Sequence, residues 1–159
     1  MNKHFILLTA LLGTLSGSVG AQRPARTVDE LYAEGKQLYL RQHYAAAQQT
    51  LEDYLQQPMV GEADRARAIE AEYMTVCAAY YLKSADRFDR ILNYLVKYPD
   101  TSHANRLHAL AGNVLYADGM YERALDCYGR AALEKLGNDD RDEATLYKAI
   151  CLLKTGDVQ

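Results

Sequence analysis

From Val28 to Leu153 apolar residues return every three to four positions, and no stretch alternates with the period of two that a half-buried strand requires. The breaks in that pattern set the elements. Thr27-Val28-Asp29-Glu30 has the spacing of a capping box, in which the Thr27 hydroxyl accepts from the amide three residues on and Glu30 reaches back. It predicts a helix to about Arg41, a turn at Gln42-His43, and a second helix from Tyr44 to about Gln57, stopped by Pro58. A long helix is predicted over about Glu62 to Leu82. After a break at Lys83-Ser84, another runs from Ala85 to Lys97, because Pro99 disfavours helical geometry in Tyr98. Asp100-Thr101-Ser102 offers caps for a helix to about Ala117, Asp118-Gly119 makes a turn, and Tyr121 to Lys135 forms the next helix. Gly137-Asn138 is expected to close it in a left-handed cap, and Asp140 with Glu143 to open a last helix to Lys154. The expected fold class is all-α.

Composition narrows this to one globular domain: 159 residues, 49% hydrophobic and 25% charged. A net charge of -3 provides no electrostatic footprint for nucleic acid. The aromatic content is unusual, with 13 Tyr against 2 Phe and no Trp. Lys3 and His4, the apolar run Phe5 to Leu15, and small residues ending in Val19 and Ala21 have the layout of a secretory signal, residues 1-21, leaving a mature chain from Gln22 with a short segment 22-27 before the first helix. The competing reading, an uncleaved anchor, needs a run of roughly 20 apolar residues, more than is present. No Cys lies at the cut, so no lipid anchor is expected, and no membrane span follows signal cleavage.

Export permits disulfides, and the chain has three cysteines, Cys77, Cys127 and Cys151. They are expected to be small apolar fillers, with a Cys127–Cys151 bridge between neighbouring helices as the alternative. The histidines have no metal-ligand spacing, and His103 and His108 point to different sides of a helix. The acidic run Asp139, Asp140, Asp142 and Glu143 suits a helix N-terminus and lacks the alternating spacing of a calcium loop. No nucleophile elbow, zinc-protease motif or phosphate loop occurs, so neither catalysis nor a cofactor is expected.

The segment Leu110 to Ala131, LAGNVLYADGMYERALDCYGRA, resembles the tetratricopeptide repeat. Gly112 stands at the family's small residue of the first helix, Gly119 and Tyr121 at the turn, and Ala124, Tyr128 and Ala131 on the inner side of the second helix. Leu31, Gly35, Leu38, Tyr44, Ala47, Leu51 and Pro58 repeat that order. Val76, Ala79, Phe88, Leu92 and Pro99 do so more loosely, with Val for the small residue and Phe for Ala, so this pair is expected to cross wider. Ala149, Leu152 and Gly156 match half a repeat. The resemblance implies a right-handed solenoid of antiparallel helix pairs, about three and a half repeats over 28-159, divided 28-58, 62-99, 102-137 and a partial 140-159. Leu146, Ile150 and Leu153 fall together on the last helix without a cover, so the chain is expected to be a piece of a longer array.

In that family the first helices line a groove. The register implies Tyr32, Lys36 and Tyr39; Tyr73, Cys77 and Tyr80; Ala109, Asn113 and Tyr116; and Leu146, Ile150 and Leu153 as its surface. Tyr39, Tyr80 and Tyr116 are expected to form one aromatic row suited to recognition, the alternative being rings that only fill space between repeats. Lys36 and Asn113 alone do not complete the family's carboxylate clamp. Tyr98-Pro99-Asp100-x-Ser102-x-x-Asn105 is similar to exported repeat proteins that assist outer-membrane assembly or envelope division. The function expected is an exported scaffold, periplasmic or outer-membrane associated, that binds another protein or an extended peptide segment. The alternatives are a spacer or regulatory arm of a larger envelope enzyme or transport assembly, and a glycan-binding module using the Tyr row.

Overall fold

A computed structural model of the chain describes residues 26–156. The signal-segment expectation lies outside those residues. Seven α-helices and one short 3-10 helix make up the described chain, and no strand occurs among the described residues, so the protein is all-α. The helices are α1 (Val28–Leu40), α2 (Tyr44–Leu55), α3 (Glu62–Tyr81), α4 (Arg87–Lys97), α5 (Ala104–Ala117), α6 (Tyr121–Arg130) and α7 (Asn138–Thr155), with the 3-10 helix Leu133–Lys135 before α7. The capping box at Thr27 is formed. Thr27 N donates to Glu30 Oε2 at 2.8 Å and Glu30 N donates to Thr27 Oγ1 at 3.2 Å.

Short turns fold α1 on α2, α3 on α4 and α5 on α6 into helical hairpins, and each hairpin also packs on the next. The three turns share one design. Gln42, Lys83 and Gly119 have positive φ, at 62°, 54° and 74°, and lie 41 and 36 residues apart. At each, this residue and the next donate back to the two carbonyls that the helix end leaves unsatisfied: Gln42 to Tyr39 and His43 to Leu38, Lys83 to Tyr80 and Ser84 to Ala79, Gly119 to Tyr116 and Met120 to Leu115. Only the third turn uses glycine, the residue that adopts this conformation without steric cost.

Two hairpins are drawn together at a glycine. A Cβ on Gly35 would lie 2.6 Å from Leu51 Cγ, and one on Gly112 would lie 2.5 Å from Tyr128 Cε1. In the middle hairpin Val76 holds the equivalent place and is buried, while Leu92, at the register position of Leu51 and Tyr128, is 39% exposed where those two are fully buried. Phe88 bridges the two apolar clusters, one centred on α1 to α5 and the other on α5 to α7. Ala47 and Ala124, the equivalents of Phe88, are fully buried, as are Tyr54, Tyr94 and Cys151, while Ala131 is 8% exposed. All three cysteines are free thiols, so the alternative of a Cys127–Cys151 bridge is not realised.

Two sequence expectations need correction. α6 ends at Arg130 instead of running to Lys135. The side chain of Asn105 explains this: its Nδ2 donates to the Ala132 carbonyl at 2.7 Å and its Oδ1 accepts from the Ala132 amide at 2.6 Å, holding backbone that helical bonding would otherwise take. Gly137 is not a left-handed cap. Its φ of -61° and ψ of 157° are extended, and it is the N-cap of α7, which starts at Asn138, two residues before Asp140. The left-handed glycine of this region is Gly156, φ 78°, at the far end of α7.

Candidate functional site

Two polar centres lie among the first helices of the hairpins. The first depends on the close approach at Gly112, which lets the fully buried Tyr128 pass over α5 and donate its hydroxyl to Asn113 Oδ1 at 2.8 Å. The Asn113 amide then faces the other way. Its Nδ2 donates to the Tyr80 hydroxyl at 3.2 Å and to Glu143 Oε2 at 2.9 Å, joining α3, α5 and α7. Glu143 Oε1 accepts from the Tyr147 hydroxyl at 3.2 Å, and Tyr147 stacks on Tyr116 with centroids 4.2 Å apart and planes 13° from parallel. Tyr80, Asn113, Tyr116, Glu143 and Tyr147, with Tyr81 beside them, line a cleft of about 410 Å³, with Lys83 and Arg87 on its wall where α3 turns into α4. Burial is the main cause that pushes the Tyr80 hydroxyl up to about 12; the Asn113 hydrogen bond opposes the shift and the Glu143 charge adds to it. The cleft therefore offers phenol rings and hydroxyls, one amide already engaged, one carboxylate that accepts from Asn113 and Tyr147, and two cations.

The second centre is Arg106 on α5, with its side chain one quarter exposed. Its Nε donates to Asp140 Oδ2 at 2.6 Å, Nη2 to the Tyr81 hydroxyl at 2.6 Å, and Nη1 to the Tyr73 hydroxyl at 2.8 Å, with the Tyr39 hydroxyl at 3.5 Å and Cys77 Sγ at 3.7 Å. One guanidinium thus ties α1, α3, α5 and α7 together. Burial alone opposes its charge, but the Asp140 hydrogen bond and the surrounding acceptors outweigh that and hold it fully protonated. Burial also pushes the Tyr39 and Tyr73 hydroxyls and the Cys77 thiol up. Cys77 has no exposed surface, and burial favours its neutral thiol. Tyr73 also stacks on His103, centroids 3.6 Å apart, and His103 Nε2 lies 3.0 Å from Glu70 Oε2. His108, on the other side of α5, takes no part in either centre.

The sequence-predicted groove residues divide accordingly. Tyr80, Asn113 and Tyr116 line the cleft. Tyr39 and Tyr73 belong to the Arg106 centre, and Tyr73 is only 7% exposed. Tyr32 and Lys36 sit apart on α1, where Tyr32 packs on Tyr54 at 5.2 Å and the Lys36 ammonium lies 5.9 Å from the Tyr32 ring centroid. The expected row of Tyr39, Tyr80 and Tyr116 is interrupted. Tyr39 connects to Tyr80 only through Tyr44 and Tyr81, whose rings stack at 4.5 Å, and the cleft separates Tyr80 from Tyr116. Among the packing residues, Tyr121 is half-buried against Tyr116. Sequence reasoning missed Arg106, Asp140, Glu143, Tyr81 and Tyr147. Arg106 had a signal: it lies one turn before Ala109 on the stripe Ala109, Asn113, Tyr116, so extending the groove register by one turn finds it.

Among the described residues no helix is long and apolar enough to cross a membrane, and no group of His, Cys, Asp and Glu could hold a metal ion. Comparison with protein families, with curated proteins and with solved structures found no match.

Proposed function

We propose that the protein is an exported, noncatalytic scaffold built as a right-handed solenoid of about three and a half tetratricopeptide-like repeats, acting in the periplasm or at the outer membrane. It holds an extended segment of another protein in the cleft between α3, α5 and α7. The turn residues 41 and 36 residues apart and the two glycine-mediated approaches support the repeat reading. The observation that carries the binding reading is the cleft of about 410 Å³, which falls in the size range of small binding sites. The Tyr80 ring faces the stacked Tyr116–Tyr147 pair across it, so an apolar side chain of the segment enters between rigid rings that lose little rotamer entropy. Glu143 and Lys83 line the same cleft for the segment's amides and acidic groups, while Arg87 is held by the Lys83 and Ser84 carbonyls and by Asp118.

The test is capture of partners from an envelope extract by the immobilised chain from Gln22, identified by mass spectrometry. Tyr80→Ala and Tyr116→Ala are expected to lose the captured protein at least tenfold while keeping the helical circular dichroism signal. Tyr32→Ala, away from the cleft, is expected to keep it. Equal capture by all three variants refutes the cleft as the docking site.

A further inference from the structure

The hydrogen bonds on the floor of the cleft have only one consistent polarity. Asn113 on α5 is 4% exposed, and protein groups engage both ends of its amide. Glu143, a carboxylate that can only accept, lies 2.9 Å from one end, so that end is the NH2 group, Nδ2. The carbonyl Oδ1 then faces Tyr128, whose buried hydroxyl donates to it at 2.8 Å. Nδ2 has two protons and no lone pair. One proton goes to Glu143 Oε2 and the other to the Tyr80 hydroxyl at 3.2 Å, so Tyr80 accepts there and must send its own proton elsewhere. No acceptor among the described residues takes that proton, and Tyr80 and Glu143 both line the cleft. Glu143 is the complement. Its oxygens take one proton each, from Asn113 and from Tyr147, and a carboxylate has room for about four.

The cleft thus sets a donor, the Tyr80 O–H, beside an acceptor, Glu143 Oε2, both pinned to a single nitrogen. One residue of an extended chain has the matching pair, because its N–H and C=O point to the same side. A free carboxylate does not: it has no proton for Glu143 and brings a second negative charge beside the first. We propose that the cleft reads backbone, with Tyr80 donating to the C=O and Glu143 accepting from the N–H of one residue of the bound segment. Asn113, with Tyr128 behind it, is a positioning residue that fixes this polarity with its own donors already spent. The inference rests on the segment-binding function proposed above and adds a selection rule to it: the residue seated here must keep its backbone N–H, so proline is refused.

A pool of short random peptides, panned on the immobilised chain from Gln22 after depletion on Tyr116→Ala, supplies the probe. Its tightest binder is resynthesised with single backbone changes and titrated by fluorescence anisotropy. At one residue, N-methylation of its amide is expected to lower affinity about five- to tenfold, and so is an ester in place of the peptide bond that follows it, which weakens its carbonyl as an acceptor. In Tyr80→Phe, which keeps the ring, the ester is expected to cost nothing further, and in Glu143→Ala the N-methyl group is expected to cost nothing further. Circular dichroism checks both variants, and if either loses helicity the peptide series on the wild type decides alone. A binder indifferent to both changes at every residue, or sensitive to them only at different residues, overturns the backbone reading and leaves the cleft as a docking site. Losses that persist in full in the two variants overturn the assignment to Tyr80 and Glu143. A pool from which the wild type retains nothing beyond Tyr116→Ala overturns the cleft as a docking site and this inference with it.

Discussion

Adding one methyl group at Gly112 tests whether the α5–α6 approach is as tight as it looks. In a helix interior Gly→Ala normally gains about 0.8–1 kcal/mol, because alanine loses less backbone entropy on folding. At Gly112 the new Cβ would lie 2.5 Å from Tyr128 Cε1 and 2.7 Å from Cδ1. That ring has no exposed surface, and its hydroxyl is tied to Asn113 at 2.8 Å, so it cannot swing aside without leaving both groups unpaired. Overpacking a filled core costs about 1–3 kcal/mol, and a tethered ring places this site at the upper end. The net expectation is destabilisation by about 2 kcal/mol. Gly129, in α6 and open on all sides, supplies the control, since nothing lies within 4 Å of its added Cβ, and Gly129→Ala is expected to stabilise by about 0.5–1 kcal/mol. Urea unfolding followed by circular dichroism, with a slope of about 2 kcal/mol per molar, separates the two variants by about 1–2 M in midpoint. A Gly112→Ala midpoint at or above wild type refutes the close approach and the packing derived from it.

Arg106→Ala is expected to cost about 2–3 kcal/mol in the same assay, because it leaves Asp140 and the Tyr73 hydroxyl without their partner; the figure is reduced from that of a buried pair because both charged side chains are about one quarter exposed. Adding Asp140→Ala is expected to cost less than the sum of the two single changes, and a loss under about 0.5 kcal/mol for Arg106→Ala makes the centre an ordinary surface pair. Gln42→Gly is expected to stabilise by about 0.5–1 kcal/mol by relieving a side chain held at φ 62°, read as a rise in urea midpoint. Tyr54→Phe is expected to be neutral or stabilising by up to about 1 kcal/mol, since the Tyr54 hydroxyl is buried without a partner, whereas Tyr128→Phe is expected to lose about 1–2 kcal/mol with its bond to Asn113.

The helices were legible because what starts and stops a helix acts over a few residues. The Thr27–Glu30 box, the stop before Pro99 and the turns at Gln42-His43 and Asp118-Gly119 all stand where local chemistry puts them. The end of α6 is set by Asn105, 27 residues away in sequence, which holds both backbone groups of Ala132, and the chain then passes through the 3-10 helix Leu133–Lys135 to Gly137, the extended N-cap of α7. A side chain acting across that distance leaves no mark in the periodicity of residues 121–135.

The candidate site divides the same way. Asn113 and the Tyr80 and Tyr116 rings could be placed on the inner stripe by register alone, since a helix repeats its faces every 3.6 residues. Which tyrosines face an open cleft, which surround a guanidinium, and that Tyr81 does both could not. Tyr39 and Arg106 are 67 residues apart and meet only because α1 packs on α3 and the Arg106 side chain reaches from α5 to the tyrosines of both. The sequence by itself determined an all-α chain, its helix pairs and much of the inner stripe on α3 and α5, because these follow from hydrogen bonds and steric limits within a few positions; on α7 the expected groove stripe Leu146, Ile150 and Leu153 is wrong, and Glu143 and Tyr147 face the cleft instead. Tertiary structure alone decided that Tyr39 and Tyr73 serve Arg106, that Tyr80 and Tyr116 with Tyr147 bound a cleft, and that Leu146 and Leu153 face outward. Those outcomes depend on how helices far apart in sequence approach one another, and that distance is set by packing at points such as Gly112.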